Sequence, residues 1–161
     1  MKSISQTQTA LGDIAKQLCG IVSETDRENG ALAGLNEEVQ KLIEELQSAM
    51  YPHIFCPGSE CMHPSEITVC YLLQRAHTRL LPSLQRLLSP EQSERITEAF
   101  FAALPQVKKL LETDIQAAYD GDPAAKNKAE IVLAYPSFQA VSIYRLAHLL
   151  YESGVPMLPR I

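Results

Sequence analysis

Apolar residues recur at three- and four-residue steps along most of the chain. Leu11, Ile14, Leu18 and Ile21 form one row, and Leu32, Leu35, Val39, Leu42 and Leu46 a second. Each row is the core-facing stripe of an amphipathic helix, with Glu37, Glu38, Glu44 and Glu45 left for the solvated face of the second. Between them, Thr25 to Gly34 carries Asp26, Asn29 and Gly30 and reads as a loop. A longer break covers residues 51–64, where Pro52, Pro57, Gly58 and Pro64 forbid a continuous helix.

The helical pattern resumes at Ser65 through Val69, Leu73, Ala76, Leu80, Leu84 and Leu87, with Pro82 inside it as a kink or restart. Ser89-Pro90-Glu91-Gln92 spells a capping box with proline in the first turn, so a new helix begins at Pro90 and runs towards Leu104. Pro105 restarts the chain. Val107, Leu110, Leu111, Ile115 and Ala118 form the next face, and Asp120-Gly121 closes it with a glycine C-cap. Asp122-Pro123 reads as an N-cap and N1 pair. Lys128 to Tyr135 is a short helix and Pro136 opens a last one. Its Phe138, Val141, Ile143, Tyr144, Ala147, Leu149 and Leu150 leave little polar surface before Gly154, the signature of a buried helix. The pattern amounts to about six or seven helices with no strand pair, hence an all-α bundle. Residues 1–161 read as a single helical domain, with 51–64 separating its helical subregions.

Composition agrees with helices and narrows function. Leu and Ala dominate and Trp is absent. The formal charge is −5, the acid excess falls in residues 1–50, and residues 105–161 balance. No basic run exceeds Lys108-Lys109, which argues against a nucleic-acid partner. The longest clean apolar run, Ala99 to Leu104, falls far short of the ~20 residues of a membrane span. The polar start MKSISQTQTA lacks an apolar stretch behind its lysine, so a cytoplasmic location is the expectation. The 4 cysteines are then reduced thiols rather than a disulfide framework.

His53, Cys56, Cys61 and His63 lie close enough to offer zinc four donors, although the spacing matches no standard finger and the prolines explain the loop without metal. The bland reading is a loop with unpaired thiols, and no metal is expected. His77 and His148 fall inside helical patterns with no evident nucleophile beside them. The chain shows no Gly-rich phosphate loop, no G-x-S-x-G and no H-E-x-x-H. Asp122 has a complete capping explanation.

The C-terminal third carries a more specific pattern. The run from Glu112 to Ala125, with Asp122-Pro123-Ala124 at its end, is followed by Tyr135-Pro136, by Ala140 to Leu150 containing Tyr144-Arg145-Leu146-Ala147-His148, and by Gly154-Val155-Pro156. Together these resemble the N-terminal helical domain of bacterial serine O-acetyltransferases, best over residues 105–161. The resemblance implies transfer of an acetyl group from acetyl-CoA to the hydroxyl of L-serine, giving O-acetylserine for cysteine biosynthesis. In that family a left-handed β-helix of hexapeptide repeats follows the helical domain and supplies the catalytic His-Asp pair and the CoA groove. This chain reaches Leu158-Pro159-Arg160-Ile161 about where those repeats would begin and contains none.

The resemblance therefore assigns no catalytic residue here, and the chain alone is expected to be inactive. No cofactor is expected in it, with acetyl-CoA a co-substrate of the whole enzyme. Asp122 is similar to the family's substrate-binding carboxylate, and a carboxylate suits the serine ammonium. Asp114 and Arg145 sit in the same motifs, where salt-bridge or packing roles fit them. The family also implies homo-oligomer contacts through the helical domain, for which the Leu32–Leu46 stripe is a candidate seam, and an O-acetylserine sulfhydrylase partner. The alternative is a free-standing, non-catalytic helical interaction module.

Overall fold

The computed structural model describes residues 4–21, 32–55 and 65–161, with side chains from Leu11 onward. Among these residues every regular element is helical: α1 (Ile4–Gly20), α2 (Leu35–Met50), α3 (Pro52–Phe55), α4 (Glu66–Gln85), α5 (Pro90–Gly121), α6 (Lys128–Ala134), α7 (Pro136–Glu152) and a 3-10 turn (Leu158–Arg160). The all-α reading stands. The chain divides into two compact units, residues 1–33 and 34–161.

The first unit contains α1. Leu11, Ile14 and Leu18 lie at helical spacing along it and Ile21 follows its end, and all four are 50–70% exposed.

In the second unit α2 runs along α4 in the most extensive pairing, and α5 is the hub that meets α4, α6 and α7. Gly34 starts α2 in the left-handed region, φ 75°, which favours glycine. Leu35, Val39, Leu42 and Leu46 are 8% exposed or less. The stripe offered as a seam between copies is thus spent inside the bundle. From the α4 side come Leu72, Ala76, Leu80 and Leu84, the last three fully buried. Glu45 departs from the solvated-face reading. It is 6% exposed because one oxygen accepts from two arginines of α4, Arg75 Nε at 3.1 Å and Arg79 Nε at 2.9 Å.

Both internal prolines are passed without a break, contrary to the restarts read from sequence. Pro82 lies within α4, and Pro105 within an α5 of 32 residues, about 48 Å long at 1.5 Å per residue. Both are exposed, so the missing N–H falls on the water side while Leu84, Leu104, Val107 and Leu111 continue the buried face. Packing of that face outweighs the local proline penalty. The capping box is present: Ser89 Oγ accepts from the Gln92 N–H at 3.3 Å, and Gln92 Oε1 accepts from the Ser89 N–H at 3.4 Å.

The last helix is not buried all round. Phe138, Ser142, Leu146 and Leu150 form a buried stripe, whereas Tyr144 and Tyr151 are 64% and 65% exposed. Gly154, at φ 74°, turns the chain so that Val155 and Leu158 close over the core.

Candidate functional site

Asp122 terminates α5. Its backbone is extended, φ −118° and ψ 102°, and its N–H still donates to the Ala118 carbonyl at 3.1 Å. Gly121 remains helical, so the helix closes without a left-handed glycine. The side chain then turns back on the loop that follows. Oδ1 accepts from the Ala124 N–H at 2.9 Å, an Asx turn in which Pro123 supplies the pre-set φ. Oδ2 accepts from the Tyr135 hydroxyl at 2.6 Å.

The N-cap reading of Asp122 is corrected accordingly. The next helix starts at Lys128, and Asn127 caps it by accepting from the Glu130 N–H at 2.9 Å. Glu130 answers by accepting from the Lys126 N–H at 3.0 Å. Asn127-x-x-Glu130 is a capping signature in the sequence itself. The Asx turn at Asp122 consumes residues 123–124 and moves the helix start beyond them.

Tyr135 is fixed from both sides. It is the C-cap of α6, its N–H donating to the Ile131 carbonyl, and the N-cap of α7, its carbonyl accepting from Phe138 and Gln139. Pro136 biases it to the extended backbone observed, φ −88° and ψ 116°. The 2.6 Å bond therefore joins the end of α5 to the α6–α7 joint. Its electrostatic effect is mutual. The Tyr135 hydroxyl, and after it the Ala124 N–H, hold the Asp122 carboxyl below the usual carboxylate range. The carboxylate in turn pushes the Tyr135 phenol up to about 12. An ionised carboxylate in a fixed orientation results.

Two turns earlier on α5, Asp114 accepts two parallel bonds from Arg145 of α7, Nε to Oδ2 at 2.7 Å and Nη2 to Oδ1 at 2.8 Å. The pair locks α7 onto α5, the salt-bridge role its motif position suggested. A hollow of about 230 Å³ beside it is lined by Asp114, Ala118, Ile131, Ser137, Phe138 and Val141 among others.

Residues 73–143 match the family described as serine acetyltransferase, N-terminal. A plasmid-encoded serine acetyltransferase of Synechococcus elongatus is 51% identical over 74 residues, which cover 46% of this chain and 23% of that protein. The serine acetyltransferase of Mycobacterium tuberculosis is 45% identical over 47 residues, 29% of this chain and 20% of the relative. Among solved structures, serine acetyltransferase 1 of Entamoeba histolytica in complex with L-cysteine superimposes with a TM-score of 0.69 at 31% identity, over 74% of this chain and 43% of that one. The chain thus spans less than half the length of these relatives. The matched segment runs from within α4 into α7 and includes Asp114, Asp122 and Tyr135.

The remaining candidates stay apart from Asp122. His53 is exposed in α3, while Cys56, Cys61 and His63 lie outside the described residues. Among the described residues no group of three His, Cys, Asp or Glu side chains is placed to hold a metal. His77 is exposed with its ring 5.6 Å from that of Phe101. His148 is stacked between Tyr144 and Tyr151, at 5.6 Å and 6.4 Å, with Nε2 3.3 Å from Glu152. Among the described residues no helix is long and apolar enough to cross a membrane. The residue that sequence reasoning missed is Tyr135 as the partner of Asp122. A tyrosine thirteen positions away leaves no periodic signal, since the contact is made by a turn and a helix joint.

Proposed function

We propose that this chain is the helical part of a serine O-acetyltransferase, and that Asp122 binds the ammonium of L-serine while the acetyl group passes from acetyl-CoA to the serine hydroxyl. The observation that carries the reading is the Asp122 carboxylate, held ionised by Tyr135 and the Ala124 N–H at a helix end within the family-matched segment. A fixed anion of this kind meets an ammonium through charge-assisted hydrogen bonds without reorganising. Catalytic acid–base groups and the acetyl-CoA groove are assigned to the β-helix of the whole enzyme, and this chain alone contributes no turnover and binds no cofactor.

Homo-oligomer contacts through the helical domain belong to the same proposal. The α2 stripe is unavailable for them because it is buried, whereas α1 offers exposed Leu11, Ile14 and Leu18, with Ile21 exposed just after it. An O-acetylserine sulfhydrylase is the proposed protein partner of the whole enzyme, and the cytoplasm its proposed location. The test is CoA release from acetyl-CoA with and without L-serine. Serine-dependent release from the enzyme bearing this domain, and none from residues 1–161 alone, is expected. Release from residues 1–161 that requires L-serine would move the chemistry onto this chain and overturn the assignment.

A further inference from the structure

A carboxylate has two acceptor positions on each oxygen. In Asp122 one position on Oδ1 is filled by the Ala124 N–H and one on Oδ2 by the Tyr135 hydroxyl, 2.9 Å and 2.6 Å away. Among the described residues no other group fills the second position on either oxygen, which leaves each oxygen able to accept an N–H of an ammonium. The Ala124 bond alone ties only one oxygen, and it comes from the same turn. The Tyr135 bond ties the other oxygen to a separate helix joint whose backbone is engaged on both sides, at Ile131 and at Phe138 and Gln139. Two anchors from different elements fix the plane of the carboxylate.

We infer that Tyr135 is a positioning residue for the amino group of the substrate: its hydroxyl orients Asp122 so that both remaining acceptor positions face one ammonium. The inference rests on the reading that Asp122 binds serine. The phenol acts through Asp122, and its charge state follows from Asp122 and, more weakly, from Glu130, which also raises it. At neutral pH the hydroxyl is a donor and the carboxylate an acceptor, so the orientation holds there.

The experiment is steady-state kinetics on the enzyme bearing this domain. In Tyr135→Phe the ring stays and the hydroxyl goes. The serine KM should rise about tenfold, the loss typical of one hydrogen bond to a charged group, with kcat and the acetyl-CoA KM within about twofold. Inhibition by 3-hydroxypropionate, serine without its amino group, should be unchanged. A merely structural role would weaken serine and 3-hydroxypropionate alike, and that result overturns the inference. Asp122→Asn separates the two levels. A raised serine KM in Asp122→Asn with a normal one in Tyr135→Phe overturns only the positioning role, whereas a normal serine KM in Asp122→Asn overturns the reading beneath it. If the Phe variant loses helicity, 3,5-difluorotyrosine at position 135 keeps the shape and alters the donor. Its serine KM must then change while the acetyl-CoA KM does not, and an unchanged serine KM overturns the inference.

Discussion

Arg145 on α7 holds Asp114 on α5 by two parallel hydrogen bonds, 2.7 Å and 2.8 Å, with both side chains about three-quarters buried, 26% and 29% exposed. The fork of a guanidinium matches a carboxylate in a way that a lysine ammonium cannot. Burial and bidentate geometry lift this pair above an exposed surface salt bridge. Arg145→Lys should therefore keep the charge and lose the geometry, lowering stability by about 1 kcal/mol, or a thermal midpoint about 2–4 °C lower. A melting curve unchanged by the substitution would show that charge alone suffices.

Glu45 is the second place where charge enters the core. Its Oε1 accepts from Arg75 and Arg79, Arg79 also reaches Glu38 at 2.7 Å, and Oε2 has no partner among the described residues. Glu45 is the buried member, Arg75 is 47% exposed, and Arg79 keeps its bond to Glu38 when Glu45 is removed. Glu45→Ala should cost about 1–2 kcal/mol, the loss of hydrogen bonds to a charged group, read as a fall in the urea midpoint. Ile67→Ala, at a side chain 81% exposed, should stay within about 0.5 kcal/mol. Similar losses at the two sites would show that Glu45 contributes no more than an exposed side chain.

Most of the helices and the capping box were legible because periodicity and caps are local. Three features were not. Pro82 and Pro105 look like breaks in isolation, yet each faces water while the buried stripe continues past it. Glu45 looks like a solvated-face residue, yet it is drawn inward by arginines on a neighbouring helix, thirty and thirty-four positions away. Asp122 was legible as a candidate and misread as an N-cap, because its partner Tyr135 is brought to it only by the turn at 123–124 and the joint at Tyr135. Local chemistry is written along the chain; tertiary pairings are not.

The Asp122–Tyr135 bond also sets a pH signature. The Asp122 carboxyl is depressed in the folded state, so its contribution is fully present above the unfolded value, about 3.9, and is lost as pH falls through the folded one. The Tyr135 phenol is raised to about 12, so its contribution is present below about pH 10 and is lost as pH rises towards 12. Thermal midpoints of wild type and Tyr135→Phe across this range should differ by a plateau at intermediate pH that narrows at both ends. A difference independent of pH would mean that the hydroxyl stabilises the fold without coupling to Asp122.

The decisive measurement pairs serine KM with thermal stability for Asp122→Asn in the enzyme that carries this domain. Asn retains an acceptor for the Asx turn but not the negative charge that an ammonium needs. A serine KM raised at least tenfold, the loss of a charge-assisted contact, with an unchanged acetyl-CoA KM and a midpoint within a few degrees, is the expected result. A large fall in stability with an unaltered serine KM would make Asp122 a turn residue and contradict its place in the serine site.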